Sequence, residues 1–144
     1  MRAKFINEDI KDFFKPKSEE EIKSSMGNLD PKDLLYKSIY NNFLPGVKKA
    51  LEDGADVHAD IDYALRLASE KGYYDIVKLL LDNGADVHAQ DDWALQWASE
   101  YDHYNVVKLL IDNGADVHAR DDRALQWASE NGHDDVVELL KRYM

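Results

Sequence analysis

From residue 31 onward, apolar and polar positions alternate in short blocks at helical spacing. In residues 93–101, Ala94, Leu95 and Ala98 fall at i, i+1 and i+4, and their small side chains let another helix approach closely. In residues 104–112, Val106, Val107, Leu109, Leu110 and Ile111 form a stripe too wide for a helix packed on one side only. The pattern predicts a short helix, a tight break and a second helix sandwiched between neighbours. Gly114 follows and suits the left-handed residue that ends a helix. Gly72 and Gly132 separate the two helices elsewhere in the chain, with Asp102 and Asn42 at the equivalent breaks. Asp62, Asp92 and Asp122 precede the first helices and are expected to cap them.

This pattern recurs at a fixed spacing. Gly-Ala-Asp-Val-His-Ala stands at 54–59, 84–89 and 114–119, a period of 30. Residues 60–89 and 90–119 match without gaps at 19 of 30 positions, and 90–113 and 120–143 at 14 of 24. A 30-residue period is the mark of a stacked repeat architecture. The chain divides into an irregular unit at 31–59, full units at 60–89 and 90–119, and a truncated unit at 120–144. Residues 1–30 form a separate helical extension or cap. There, Ser18 and Glu21 make a capping box for a helix ending near Ser25, and Asp30-Pro31 starts the next. Ile10, Phe13 and Phe14 form an apolar face suited to covering the open end of a solenoid or docking elsewhere.

The unit resembles the ankyrin repeat over residues 33–144. Tyr63-Ala64-Leu65-Arg66-Leu67-Ala68, Trp93-Ala94-Leu95-Gln96-Trp97-Ala98 and Arg123-Ala124-Leu125-Gln126-Trp127-Ala128 stand where that family carries Thr-Pro-Leu-His-x-Ala. His103 through Ala119 follows the family's later pattern, with His118 in place of its usual Asn. The hairpin is three residues short and the Thr-Pro pair is missing. This short-hairpin variety looks like ankyrin proteins of giant DNA viruses and phage-like genomes, which implies a viral or phage effector acting in the host cytoplasm. The resemblance implies an all-α ankyrin-repeat solenoid of stacked helix-turn-helix units. It also implies a binding scaffold without enzymatic activity or cofactor.

Composition narrows the classes further. Cysteine is absent, which removes disulfides, thiol catalysis and cysteine metal sites. No apolar run approaches the roughly 20 residues of a membrane span, and no secretory leader is visible, so a cytoplasmic location is expected. The chain has 18 Lys and Arg against 29 Asp and Glu, for a net charge of −11. That field disfavours direct contact with nucleic acid or an anionic membrane and favours a partner with a basic rim. No phosphate loop, HExxH or EF-hand motif occurs. His58, His88 and His118 recur one per unit, too far apart to share a metal; each is expected to bond hairpin backbone, or to form a pH-sensitive ladder.

Aromatic residues are the remaining lead. Trp97 and Trp127 are equivalent to Leu67, which assigns them to packing. Trp93 is equivalent to Tyr63 and Arg123, and Tyr101 to Lys71 and Asn131, so those positions vary and are expected to be exposed. In ankyrin arrays the hairpin tips and first helices form the concave binding face. Carried onto this chain, that face comprises Asp60, Tyr63, Arg66, Lys71, Gln90, Asp92, Trp93, Gln96, Glu100, Tyr101, Arg120, Asp122, Arg123 and Gln126. Trp, Tyr and Arg are the commonest hot-spot residues of interfaces. The expected function is a monomeric or weakly self-associating module that clamps one partner protein. The alternative is an acidic mimic of nucleic acid that blocks a host nucleic-acid-binding enzyme.

Overall fold

The computed structural model describes residues 18–144; the apolar face at Ile10, Phe13 and Phe14 lies outside the described residues. Ser18 opens helix α1 (Glu19–Ser25) with the expected capping box, its Oγ accepting from the Glu21 amide at 3.2 Å while Glu21 accepts from the Ser18 amide at 2.8 Å. Asp30 caps α2 (Pro31–Tyr40) by accepting the Asp33 amide at 2.9 Å, with Pro31 at the first turn. Helix pairs then follow: α3 (Leu44–Glu52); α4 (Ala59–Lys71) and α5 (Tyr74–Asp82); α6 (Ala89–Glu100) and α7 (Tyr104–Asp112); α8 (Ala119–Glu130) and α9 (Asp134–Arg142).

The helices stack in two layers. The first helices of successive units pack in the order α2, α4, α6, α8, and the second helices in the order α3, α5, α7, α9. Between the layers runs one continuous core that includes Leu35, Ile39, Val47, Leu65, Leu80, Leu95, Leu110, Leu139 and Leu140. Ala68, Ala98 and Ala128 are fully buried, as close approach of the first helices requires. Among the described residues every regular element is an α-helix, and none is long and apolar enough to cross a membrane.

The breaks fall where the sequence placed them. Gly72 and Gly132 both have φ of +73°, and Asp102 and Asn42 take φ of +62° and +50° at the equivalent points. The amide that follows each break residue then bonds back into the last turn of the helix, as in His103 N to Ala98 O at 2.9 Å. Gly114 has φ of +95° at the end of α7.

The start of each first helix differs from the expectation. Asp60, Ile61 and Asp62 have φ of 53–59°, and the same left-handed turn recurs at Gln90–Asp92 and Arg120–Asp122. Regular helix therefore begins at Tyr63, Trp93 and Arg123. Three consecutive left-handed residues without glycine are unfavourable on their own. A long side chain braces each turn: Arg66 donates to the Ile61 and Asp60 carbonyls, Gln96 to Asp91 at 2.7 Å, and Gln126 to Asp121 at 3.1 Å.

Candidate functional site

The left-handed turns redirect the aspartates that follow them. Asp62 and Asp92 do not cap their own helices, which have no side-chain cap. Each carboxylate instead points to the next hairpin along the stack. Asp62 accepts the Asp86 amide at 2.7 Å, and Asp92 accepts the Asp116 amide at 2.8 Å. The same carboxylates receive the Nδ1 of His58 and His88, both at 3.1 Å. The imidazoles thus bond carboxylates rather than hairpin backbone, which corrects the reading of the histidine ladder. Asp122 holds His118 at 2.7 Å, but among the described residues its carboxylate accepts no backbone amide, and its side chain is 43% exposed. Among the described residues no cluster of three or more His, Asp or Glu side chains forms a metal site.

Asp62, by hydrogen bond first and by charge second, holds the His58 imidazole above its ordinary value of 6.5. A raised folded-state value means the protonated ring is the stabilising form. This contribution is complete below about 6.5 and is lost as pH rises through the raised value. An NMR titration of His58 should therefore show a midpoint above 6.5 that falls back in Asp62→Asn. A midpoint that stays put in that variant would remove Asp62 as the cause.

His103 and His133 join units. Their Nε2 atoms bond the carbonyls of Glu70 and Glu100 at 2.7 Å, each in the preceding unit.

The inner face of the first helices carries the aromatic residues. Trp93, Trp97 and Tyr101 stand at i, i+4 and i+8 along α6. Their rings stack nearly parallel, at 6.1 Å and 5.6 Å between centroids. Trp127 of α8 meets Trp97 edge-on at 5.6 Å. All three indoles are half-buried, and none belongs to the core. Trp97 and Trp127 are therefore surface residues, which overturns their assignment to packing. Leu67 at the same position is short enough to be covered, with 4% exposure. An indole projects farther and remains at the surface. Trp93 is likewise half-buried rather than open, because Arg120 lies across its ring at 5.4 Å. Tyr101 is 48% exposed, as expected for a variable position.

The other expected face residues divide in two. Asp92 and Gln96 are buried, at 4% and 2% exposure, each with an internal partner, so neither is available to a ligand. Trp97 fills the space between Trp93 and Tyr101. Lys71, Arg120 and Gln126 are exposed, while Gln90, Glu100 and Asp122 are half-buried. Tyr63, Arg66 and Arg123 are also half-buried. Towards the N-terminus the face continues through Tyr36 and Tyr63, in edge contact at 5.2 Å, and the Tyr40 hydroxyl lies 2.8 Å from that of Tyr63. Asp60 accepts from Tyr36 and pairs with Lys32 at 2.8 Å, and these two hydrogen bonds lower its pKa. Cations lie over rings throughout: Lys32 over Tyr36, Arg66 over Tyr63 and Arg123 over Trp127. The i, i+4, i+8 spacing of Trp93, Trp97 and Tyr101 was the available signal for this strip.

A groove of about 530 Å³ lies elsewhere, between α1, α2 and α3, walled by Met26, Leu29, Leu34, Phe43 and Pro45. It shares no residue with the aromatic strip.

The family model for ankyrin repeats in three copies matches residues 7–91, 34–121 and 92–143. The chain belongs to the ankyrin-repeat family. Ankyrin repeats are generally protein–protein interaction modules. No curated protein matches the chain.

Proposed function

We propose that this chain is a protein-interaction module that seats a partner protein on the strip of Trp93, Trp97, Tyr101 and Trp127. The supporting observation is that three tryptophans lie side by side outside the core, partly open to water, on the face that ankyrin arrays use for binding. Covering such surface gains about 25 cal/mol per Å² of apolar area, and stacked rings lose little freedom on contact. Exposed Asp91 and Asp121 stand in the turns that open the two helices of the strip, and exposed Asp60 lies further along the face beside Tyr36. The matching partner surface is apolar at its centre and basic at its edge.

The test uses the purified chain as bait, with the captured partner then measured by calorimetry. Trp97→Ala should weaken binding at least tenfold, since a central aromatic anchor supplies about 2 kcal/mol or more. Helix content should be unchanged, because Trp97 lies outside the core. Unchanged affinity for Trp97→Ala, with binding abolished by Asp→Asn changes at 60, 91 and 121, would replace the clamp with the acidic nucleic-acid mimic.

A further inference from the structure

Arg123 occupies the position held by Tyr63 and Trp93 in the two preceding units. Three arginines share this face, and two have internal acceptors. Arg66 donates to the carbonyls of Ile61 and Asp60 at 3.2 Å and 3.1 Å. Arg120 reaches the Asp91 carboxylate through Nε at 3.3 Å and Nη2 at 3.2 Å. Arg123 differs. Its guanidinium lies over the Trp127 ring at 5.5 Å, its Nε is buried without a hydrogen-bond partner, and among the described residues it forms no ion pair.

We propose that Arg123 anchors a carboxylate of the partner protein: an Asp or Glu side chain, set in an apolar segment that lies on Trp97 and Trp127. This rests on the aromatic strip being the docking face. An N–H withdrawn from water without an acceptor leaves the guanidinium charge under-compensated. With Nε covered, a partner carboxylate reaches the guanidinium through its two Nη groups, which match it at two points, and stacking on the indole holds that plane in place. The surrounding charge sharpens the selection. The chain carries a net −11, and Asp121, two residues before Arg123, is exposed, so an acidic partner residue is repelled elsewhere on this face. Arg123, stacked on Trp127, accepts it. One acid on Arg123 and bases at the edge therefore set the register of the bound segment.

The chain contains three tryptophans, all in this strip, so intrinsic tryptophan fluorescence reports on it alone. The full chain is titrated at low salt with three N-acetylated, C-amidated pentapeptides: Leu-Glu-Leu-Glu-Leu and its Gln and Lys counterparts. The Glu peptide should saturate at a concentration at least tenfold below the Gln peptide. That preference should shrink to within twofold in Arg123→Gln and survive in part in Arg123→Lys, which keeps the charge without the fork. Circular dichroism melting checks that both variants fold. A Glu preference that persists in Arg123→Gln overturns the anchor, as does a Lys peptide that binds best. Equal binding of Glu and Gln peptides, both lost in Trp97→Ala, overturns the anchor while leaving the strip intact. Silence from all three peptides also overturns it, and the Trp97→Ala capture experiment then decides the strip separately.

Discussion

Gly72→Ala should destabilise the chain by about 2–4 kcal/mol, whereas Gly132→Ala should cost only about 1 kcal/mol. The two glycines are equivalent in the repeat and share a φ of +73°, so the backbone penalty is the same. Their surroundings differ. A methyl group on Gly72 would run into the His103 imidazole, while one on Gly132 meets nothing within 4 Å. His103 cannot simply retreat, because its Nε2 is bonded to the Glu70 carbonyl at 2.7 Å. The substitution therefore breaks a contact between units as well as straining a helix end. Urea denaturation of the two variants side by side reads the difference. Equal midpoints would mean that the histidine gives way freely. The same logic explains why Asp102 is tolerated in place of glycine at the third break. Its neighbour His133 bonds Glu100 and lies 3.9 Å from the Asp102 carboxylate, an arrangement with room for a side chain.

Asp92→Ala should cost about 2–4 kcal/mol, and Asp122→Ala less than about 1 kcal/mol. Asp92 is nearly inaccessible, and its carboxylate accepts two hydrogen bonds: one from His88 in its own hairpin and one from the Asp116 amide of the next hairpin. Removing it strands a backbone N–H between hairpins, and hydrogen bonds to a charged acceptor are worth about 1.5–3 kcal/mol each. Burying the carboxylate has its own desolvation cost, which is why the net effect is smaller than the sum. Asp122 is the internal control. It takes the equivalent histidine partner, His118, and sits in the same left-handed turn, but among the described residues its carboxylate accepts no backbone amide. Asp92→Asn should recover part of the loss, since an amide oxygen still accepts one N–H. Thermal melts of the three variants test the order. An Asp92→Ala variant as stable as Asp122→Ala would mean that the link between hairpins carries no weight.

These contrasts also mark where the sequence could be read and where it could not. The 30-residue period, the two helices per unit and the left-handed breaks at Gly72, Asn42 and Asp102 were legible, because each rests on local spacing or on the φ range a residue accepts. The capping box at Ser18 and the Asp30 cap were legible for the same reason. Asp62 and Asp92 looked like caps because a cap is also a local device. Their true partners lie 24 residues ahead, a distance set by stacking rather than by chain geometry.

The tryptophans show the same division from the other side. Comparing units assigned Trp97 to the core, since Leu67 stands at the equivalent position and is buried. Equivalence in a repeat fixes the direction of a side chain but not its reach, and an indole extends beyond the layer that covers a leucine. Likewise Gln96 was expected at the surface, but the left-handed turn before α6 offers it an inward carbonyl acceptor. The sequence by itself determined the repeating helices and the residues that end them, because those depend on neighbours a few positions away. Only the stacking of one unit on the next decided which aspartates are buried, which rings stay open and which arginine is left without an acceptor. Those outcomes depend on side chains about 30 residues apart in the chain that meet only once the layers pack.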